Sequence, residues 1–258
     1  ASCVLEAIES EKTLSAAQRI WSSMIKAGCD RQCPIIAIGG GIVGDVGGFA
    51  AASFMRGVPL VQVPTTLLAM VDASIGGKTG VNLPICRTDG SSVWGKNLIG
   101  SYWQPQLVVA DVDALQSLDD RQFRCGLAEC VKHSMLGNDA LRNFIQLNVE
   151  AILGRDTEVL IELVASSATI KTEIVAKDER ESGCRALLNL GHTFAHAIEP
   201  LPELSLLHGE AVSIGLCASL ACAEAAGLVD AEVVDRTRQL LTTLGLPTRL
   251  PMPVSTSD

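Results

Sequence analysis

Apolar positions in the first part of the chain follow two periodicities. Between Leu14 and Ala27, residues Ala17, Ile20, Trp21, Met24 and Ile25 recur at the spacing of one helical face, which predicts an amphipathic helix. Pro34 to Ile38 is a short continuous apolar run of the kind that forms a buried parallel strand. The glycine-rich segment Gly39 to Asp45 (GGGIVGD) follows, and Val46 to Phe54 then reads as a helix. Val58 to Val63, stopped by Pro64, and Leu107 to Ala110, stopped by Asp111, predict two more strands. Strands alternating with helices imply a parallel sheet with crossover helices. From about Ala114 onward only helical periods remain: 120–136, 139–153, 158–177, 192–199, 208–226 and 230–244. The expected class is therefore α/β, with an α/β domain over residues 1–113 and an all-helical domain over residues 114–258. The polar, Gly- and Ser-containing stretch from Ile85 to Trp94 reads as an exposed loop.

Composition narrows the function. Hydrophobic residues make up 48% of the chain and aromatics only 3%, so a sizeable core must be built from aliphatic side chains and alanine. A formal net charge of -9 argues against a nucleic-acid partner, because phosphate binding needs a basic face. It leaves room for a small anionic substrate met by a few local Lys and Arg. The nine cysteines are odd in number, and spacings such as Cys29 to Cys33, Cys125 to Cys130 and Cys217 to Cys222 fit no C-x-x-C pattern. A reduced, cytoplasmic chain is expected, with most thiols in apolar surroundings. The plastid stroma is the alternative if the source bears plastids. The apolar stretches are broken by Gly, Ser or Glu before membrane-spanning length, so no membrane partner is expected.

Three sets of residues suggest chemistry. Glycines after a strand let the backbone approach a pyrophosphate, and the following helix offers its N-terminus to the anion. Asp45 could accept hydrogen bonds from a hydroxylated ligand, or merely cap that helix. Among the four histidines (His133, His192, His196 and His208), His192 and His196 lie at i and i+4 and would share one helical face. They could hold a metal with a third ligand elsewhere, such as the carboxylate of Glu129, or sit on an ordinary surface helix. Most scattered lysines are solvated surface. Lys78 and Lys96 stand out because small neighbours in IGGKTG and GKN permit close backbone approach to a ligand.

Taken together, the segments GGGIVGDVGGFAA (39–51), FMRGVPLVQVPTTLLAMVDASIGGKTGVN (54–82), GKNLIGSYWQP (95–105), GLAECVKH (126–133), KDERESGCRALLNLGHTFAHAIE (177–199) and LLHGEAVSIG (206–215) closely resemble the 3-dehydroquinate synthase family, within the sugar phosphate cyclase superfamily. They occur in that family's order. The resemblance implies a Rossmann-like N-terminal sheet, here incomplete, and a helical domain that binds metal and substrate. It implies NAD held by Gly40, Gly41, Asp45, Thr65, Thr66, Lys78 and Lys96, with Glu9 and Lys12 as an upstream Glu-x-x-Lys pair. It implies Zn2+ (or Co2+) held by Glu129, His192 and His208, which moves His196 to the substrate side. Asp72, Lys78, Asn97, Lys132, Lys171, Glu181, Arg185, Asn189 and His196 would face a sugar phosphate. Arg56 would reach its phosphate from the neighbouring subunit of a homodimer.

The implied activity belongs to the shikimate pathway, which leads to chorismate and the aromatic amino acids. It converts 3-deoxy-D-arabino-heptulosonate 7-phosphate to 3-dehydroquinate and phosphate by transient NAD-dependent oxidation, phosphate β-elimination, re-reduction and intramolecular aldol closure. A dianionic phosphate plus a carboxylate explains the number of cations in the implied pocket. Related cyclases acting on sedoheptulose 7-phosphate or glucose 6-phosphate are an alternative, against which Lys171, Arg185 and Asn189 weigh together. A metal-dependent alcohol or glycerol dehydrogenase is disfavoured by GKTGVN and GKN, and a non-catalytic chain by the presence of every implied metal ligand. Against the family's pattern, opening strands and a late lysine-rich segment are expected to be missing, and the stretch around Ile85 to Trp94 is longer than the family's link. A sheet short of strand partners exposes an edge, so residues 1–258 are expected to hold NAD weakly. Ordinary micromolar affinity in a direct titration would overturn that expectation.

Overall fold

The computed structural model describes residues 1–86, 92–137 and 139–253, without the side chains of 86 and 92–94. These form two compact units, Ala1–Ala114 and Leu115–Asp258.

In the first unit, helix α1 (Leu14–Lys26) starts where the Thr13 hydroxyl accepts the Ala16 N–H at 3.3 Å. It buries Ala16, Ala17, Ile20 and Met24, one face of the predicted helix. Strand β1 (Ile35–Gly39), helix α2 (Gly41–Ser53) and strand β2 (Leu60–Pro64) follow. Strands β3 (Lys78–Cys86), β4 (Ser92–Tyr102) and β5 (Leu107–Val108) complete the unit. A parallel sheet runs in the order β1-β2-β5, with Ile35 opposite Leu60 and Val61 opposite Leu107. The core between α1, α2 and the strands is aliphatic, with Ala17, Val46, Ala50, Leu60 and Val81 fully buried.

Two expectations need correction here. Helix α2 begins at Gly41 rather than Val46, so the glycines lie inside its first turns. Their low helix propensity is overridden by packing. A Cβ on Gly48 would stand 2.4 Å from Thr79 Cγ2, so only glycine lets α2 lie this close to β3. The exposed loop expected over 85–94 is also wrong at both flanks. Ile85 and Cys86 end β3, and residues 92–94 open β4, its antiparallel partner. Residues 87–91 lie outside the described residues. This hairpin escaped the sequence reading because it lacks period-two burial. Residues 79–82 are all buried and residues 96–100 are all exposed, so neither strand writes an alternating pattern.

The second unit is helical: α3 (Asp120–Met135), α4 (Asp139–Leu147), α5 (Val149–Leu153), α6 (Thr157–Lys177), α7 (His192–Ile198), α8 (His208–Ala225) and α9 (Ala231–Thr243). The single helix expected over 139–153 is broken at Asn148, whose Nδ2 donates to Phe144 O at 2.8 Å. The same carbonyl also accepts the Asn148 backbone N–H at 3.1 Å, and the break follows from the non-helical φ of -117° at Asn148. Phe123, Leu127, Ile145, Leu160, Leu163, Val212 and Leu241 fill the core. Among the described cysteine side chains, only Cys125, Cys130 and Cys217 are buried, while Cys3, Cys184 and Cys222 are exposed. The expectation that most thiols sit among apolar groups is corrected accordingly. Among the described residues, no helix is long and apolar enough to cross a membrane.

Two devices position the residues of interest. First, α7 and α8 cross at nearly backbone contact: a Cβ on Gly215 would lie 2.1 Å from Gly191 O. Second, the loop after α6 is wound around the Asp178 carboxylate, which accepts the backbone N–H groups of Arg185 at 2.9 Å, Ser182 at 2.9 Å and Gly183 at 2.7 Å. These bonds, led by that from Arg185, hold the Asp178 carboxyl at about 2, against an ordinary 3.8.

Gly215→Ala should cost about 1–3 kcal/mol through overpacking against backbone, or about 2–12 °C in thermal midpoint for a chain of this size; an unchanged midpoint would contradict the close crossing. Because the folded Asp178 carboxyl is depressed, its stabilisation is present above pH 4 and is lost as pH falls toward 2. Thermal unfolding of Asp178→Asn should therefore be less stable than the parent at neutral pH, with the gap closing between pH 4 and 2. A gap of constant size would sink this reading.

Candidate metal centre and ligand-binding residues

Glu129 lies mid-way along α3 and is fully buried. A carboxylate cannot stay ionised there without compensation. Lys132, one turn along the same helix and also buried, makes an ion pair with its Oε2. Its other oxygen faces two imidazoles: His192 Nε2 at 3.7 Å and His208 Nε2 at 3.6 Å. These separations are too long for hydrogen bonds, and both Glu129 oxygens lack one. Burial works against ionisation of Glu129. Lys132 and the two histidines outweigh it and hold the carboxyl well below the usual range.

The remaining nitrogens of both rings are tied down. His192 Nδ1 donates to Leu190 O at 3.2 Å, and His208 Nδ1 donates to Glu199 Oε2 at 3.0 Å. Each bond fixes the tautomer and leaves Nε2 facing Glu129. Burial lowers the His192 pKa despite Glu129, and so favours the neutral ring. Burial opposes protonation of His208 too, but Glu129 and Glu199 push it up to about 10. One ligand atom from each of Glu129, His192 and His208 lies within 4.8 Å of the others. Donors bound to one ion at ~2 Å stand roughly 3–4 Å apart, and the Glu129 oxygen stands 3.7 and 3.6 Å from the two ring nitrogens. A buried carboxylate oxygen without a hydrogen bond, two oriented imidazoles and an outer carboxylate form a donor set that fits a divalent zinc-like cation. His196, which the i, i+4 pattern had suggested as a ligand, is exposed and stands edge-on to His192 with 5.3 Å between ring centroids.

The other residues expected to meet substrate in this unit are disposed as follows. Lys171 projects from α6 and is buried. Arg185 is almost wholly buried, with Nη1 donating to Glu179 O. Glu181 takes a positive φ of 58° and accepts the Asn189 Nδ2 amide at 2.7 Å. The Asn189 carboxamide is thus oriented by a carboxylate.

In the α/β unit, Gly40 caps α2 and Gly41 is its first residue. Gly40 has no side chain to satisfy the first-turn N–H groups, which leaves them open to an anion. Thr65 donates its N–H to Gly39 O at 2.9 Å, and Thr66 Oγ1 accepts the Ala69 N–H at 3.2 Å. Asp72 lies in a π-helical turn, Ala69–Ala73, a form of backbone that recurs at functional sites. Lys78 and Lys96 are exposed on β3 and β4. Arg56 is exposed and left-handed (φ 67°), next to left-handed Met55.

A part-buried polar network joins the rest, with Lys12 and Asn82 buried at its centre. Lys12 Nζ donates to Asp45 Oδ2 at 2.5 Å and to Asn97 Oδ1 at 2.6 Å. Burial pushes the Asp45 carboxyl up and Lys12 offsets this only in part. The centre of the network is Asn82, which the sequence reading missed. Its Nδ2 donates to Glu9 Oε1 at 2.7 Å, its Oδ1 accepts the Asn97 N–H at 3.0 Å, and its own N–H donates to Lys12 O at 2.7 Å. The β3–β4 register slips between Val81 and Leu83, so Asn82 occupies a bulge, which re-aims a side chain inward. The only sequence signal was a polar residue closing the run GGKTGVN.

Comparison with known proteins bears on these arrangements. The 3-dehydroquinate synthase N-terminal family matches residues 2–125, and the 3-dehydroquinate synthase C-terminal family matches residues 126–257. A 3-dehydroquinate synthase of Nitrosospira multiformis is 46% identical over 244 residues, 94% of this chain and 64% of that protein. This chain thus spans about two thirds of that relative's length. The structure of 2-epi-5-epi-valiolone synthase from Streptomyces hygroscopicus, with NAD+ and Zn2+ bound, superposes with a TM-score of 0.87 at 30% identity, covering 96% of this chain and 68% of that one. A 2-deoxy-scyllo-inosose synthase with carbaglucose-6-phosphate, NAD+ and Co2+ gives 0.86 at 31% identity, covering 97% and 66%. The fold is thus the mixed α/β arrangement of the sugar phosphate cyclases, with a Rossmann-like N-terminal part. With both family halves matched in order, end to end, and close to half of all positions shared with a curated relative, this chain belongs to the 3-dehydroquinate synthase family.

Proposed function

We propose that this chain carries the 3-dehydroquinate synthase reaction, converting 3-deoxy-D-arabino-heptulosonate 7-phosphate to 3-dehydroquinate and phosphate with NAD and Zn2+ or Co2+. The single observation that carries the proposal is the meeting of Glu129, His192 and His208 around one point, with the Nε2 atoms aimed at a buried carboxylate. When bound, the metal lowers the pKa of a substrate hydroxyl and NAD takes up and returns a hydride. Relatives binding NAD+ with Zn2+ or Co2+ support this reading.

The chain's own residues supply binding and orientation. In the α/β unit, the open N-terminus of α2 at Gly40 and Gly41 would take the pyrophosphate, with Thr65, Thr66, Lys78 and Lys96 alongside. Glu9, Lys12 and Asp45 would meet its hydroxyl-bearing groups. In the helical unit, Lys132, Lys171 and Arg185 would neutralise the substrate's carboxylate and phosphate. Buried cations serve this role well, since little water competes for them. Asn189, oriented by Glu181, would fix a hydroxyl without adding charge. In the α/β unit, Asp72 and Asn97 would accept hydrogen bonds from ligand hydroxyls. His196 is the residue we assign to moving a proton at its ring nitrogen. Arg56, held outward by its left-handed backbone, would contact the phosphate bound by a partner in a homodimer.

At saturating NAD and with Zn2+ supplied, the protein should release phosphate from 3-deoxy-D-arabino-heptulosonate 7-phosphate without net accumulation of NADH. His208→Ala should lower the rate by more than the roughly 10–100-fold that follows loss of an outer metal partner. Phosphate release from sedoheptulose 7-phosphate or glucose 6-phosphate instead would assign the chain to a sister cyclase. Steady NADH accumulation from an alcohol would point to a dehydrogenase.

A further inference from the structure

We infer that Glu199 is a positioning residue for the metal centre, holding His208 in the tautomer and orientation that direct its Nε2 at the ion. The inference rests on the metal reading above and extends it to a residue that touches no ion itself.

Four observations support it. Glu199 Oε2 lies 3.0 Å from His208 Nδ1, which makes a charge-assisted hydrogen bond to the ring. The opposite nitrogen of the same ring faces Glu129 at 3.6 Å, so one imidazole links an outer carboxylate to an inner one. Helix stability does not account for a carboxylate at this position. Glu199 is the C-terminal cap of α7, where the helix dipole disfavours negative charge. Finally, the other nearby acid does not compete for the ring: Glu210 is taken by Arg121 Nε at 2.6 Å and by the Leu207 N–H at 2.8 Å.

The arrangement also separates the two histidine ligands. His192 Nδ1 meets a neutral carbonyl, that of Leu190, whereas His208 Nδ1 meets a carboxylate. A charged acceptor raises the electron-donating power of the ring more than a carbonyl does. His208 is therefore the stronger imidazole donor of the pair. The two acceptors flank α7: Leu190 lies two residues before His192, the first residue of the helix, and Glu199 caps its C-terminus.

The test measures Zn2+ affinity by chelator competition, and the visible absorption of the Co2+-loaded protein, for the parent, Glu199→Gln, Glu199→Ala and the exposed control Glu203→Ala. Glu199→Ala should bind Zn2+ roughly 10–100-fold more weakly and shift the Co2+ bands. Glu199→Gln, which keeps an acceptor oxygen and removes only the charge, should fall between it and the parent. Glu203→Ala should match the parent. Circular dichroism of the metal-free variants separates a lost orientation from a lost fold, and the near-isosteric Glu199→Gln keeps the inference testable if Glu199→Ala does not fold. Parent-like affinity and spectrum in both Glu199 variants would overturn the inference while leaving the metal reading intact. A parent protein that binds neither ion would overturn both.

Discussion

An ionised carboxylate fully removed from water is the constraint on which the helical unit is built. Glu129 tolerates that position only because a buried ammonium and two imidazoles converge on it. Taking one partner from such a buried pair generally costs about 3–5 kcal/mol, because the remaining charge is left uncompensated. The requirement reaches well beyond the four side chains. Residues from three helices must arrive together, so α7 has to lie against α8 at the Gly191–Gly215 contact, and Leu190 and Glu199 have to hold the rings in register. A core of interchangeable aliphatic residues would tolerate small slips between helices. This polar cluster does not.

The α/β unit meets a similar difficulty differently. Its charges are not stacked on one buried acid but spread along a chain from Asp45 through Lys12 to Asn97, Asn82 and Glu9. Lys12 pairs directly with Asp45, and the carboxamides of Asn97 and Asn82 stand between that pair and Glu9. The network draws on the segment before α1, the middle of α2 and both strands of the hairpin. A ligand reaching any one of these groups would meet side chains already fixed by the others, which lowers the entropy lost on binding.

Much of this was legible in the sequence, and what was not has physical causes. Helices α1, α3, α6, α8 and α9 show in the spacing of apolar residues, because each buries one stripe or an end-to-end apolar run. The start of α2 was misplaced because glycine propensity describes an isolated helix and not one pressed onto a sheet. The hairpin was hidden because burial does not alternate along it. Around Glu129, the tandem histidines His192 and His196 were the obvious pair, yet the second ring facing the carboxylate is that of His208, after an intervening turn. Local spacing cannot report which of two histidines turns inward; the family resemblance supplied that choice. Asn82 and Glu199 left almost no local signal, since a carboxamide in a strand and an acid after a helix are ordinary until the groups they hold are known.

The bulge at Asn82 has an evolutionary consequence. It divides the hairpin into an inner portion, locked by the Asn82–Asn97 hydrogen bond, and an outer portion in which Leu83–Cys86 pairs with Ser92–Gly95. Growth or shrinkage of the outer portion cannot propagate a shift in pairing past that lock. The pairing of Lys78–Val81 with Ile99–Tyr102 thereby keeps its alignment whatever the length of the segment beyond Asn82.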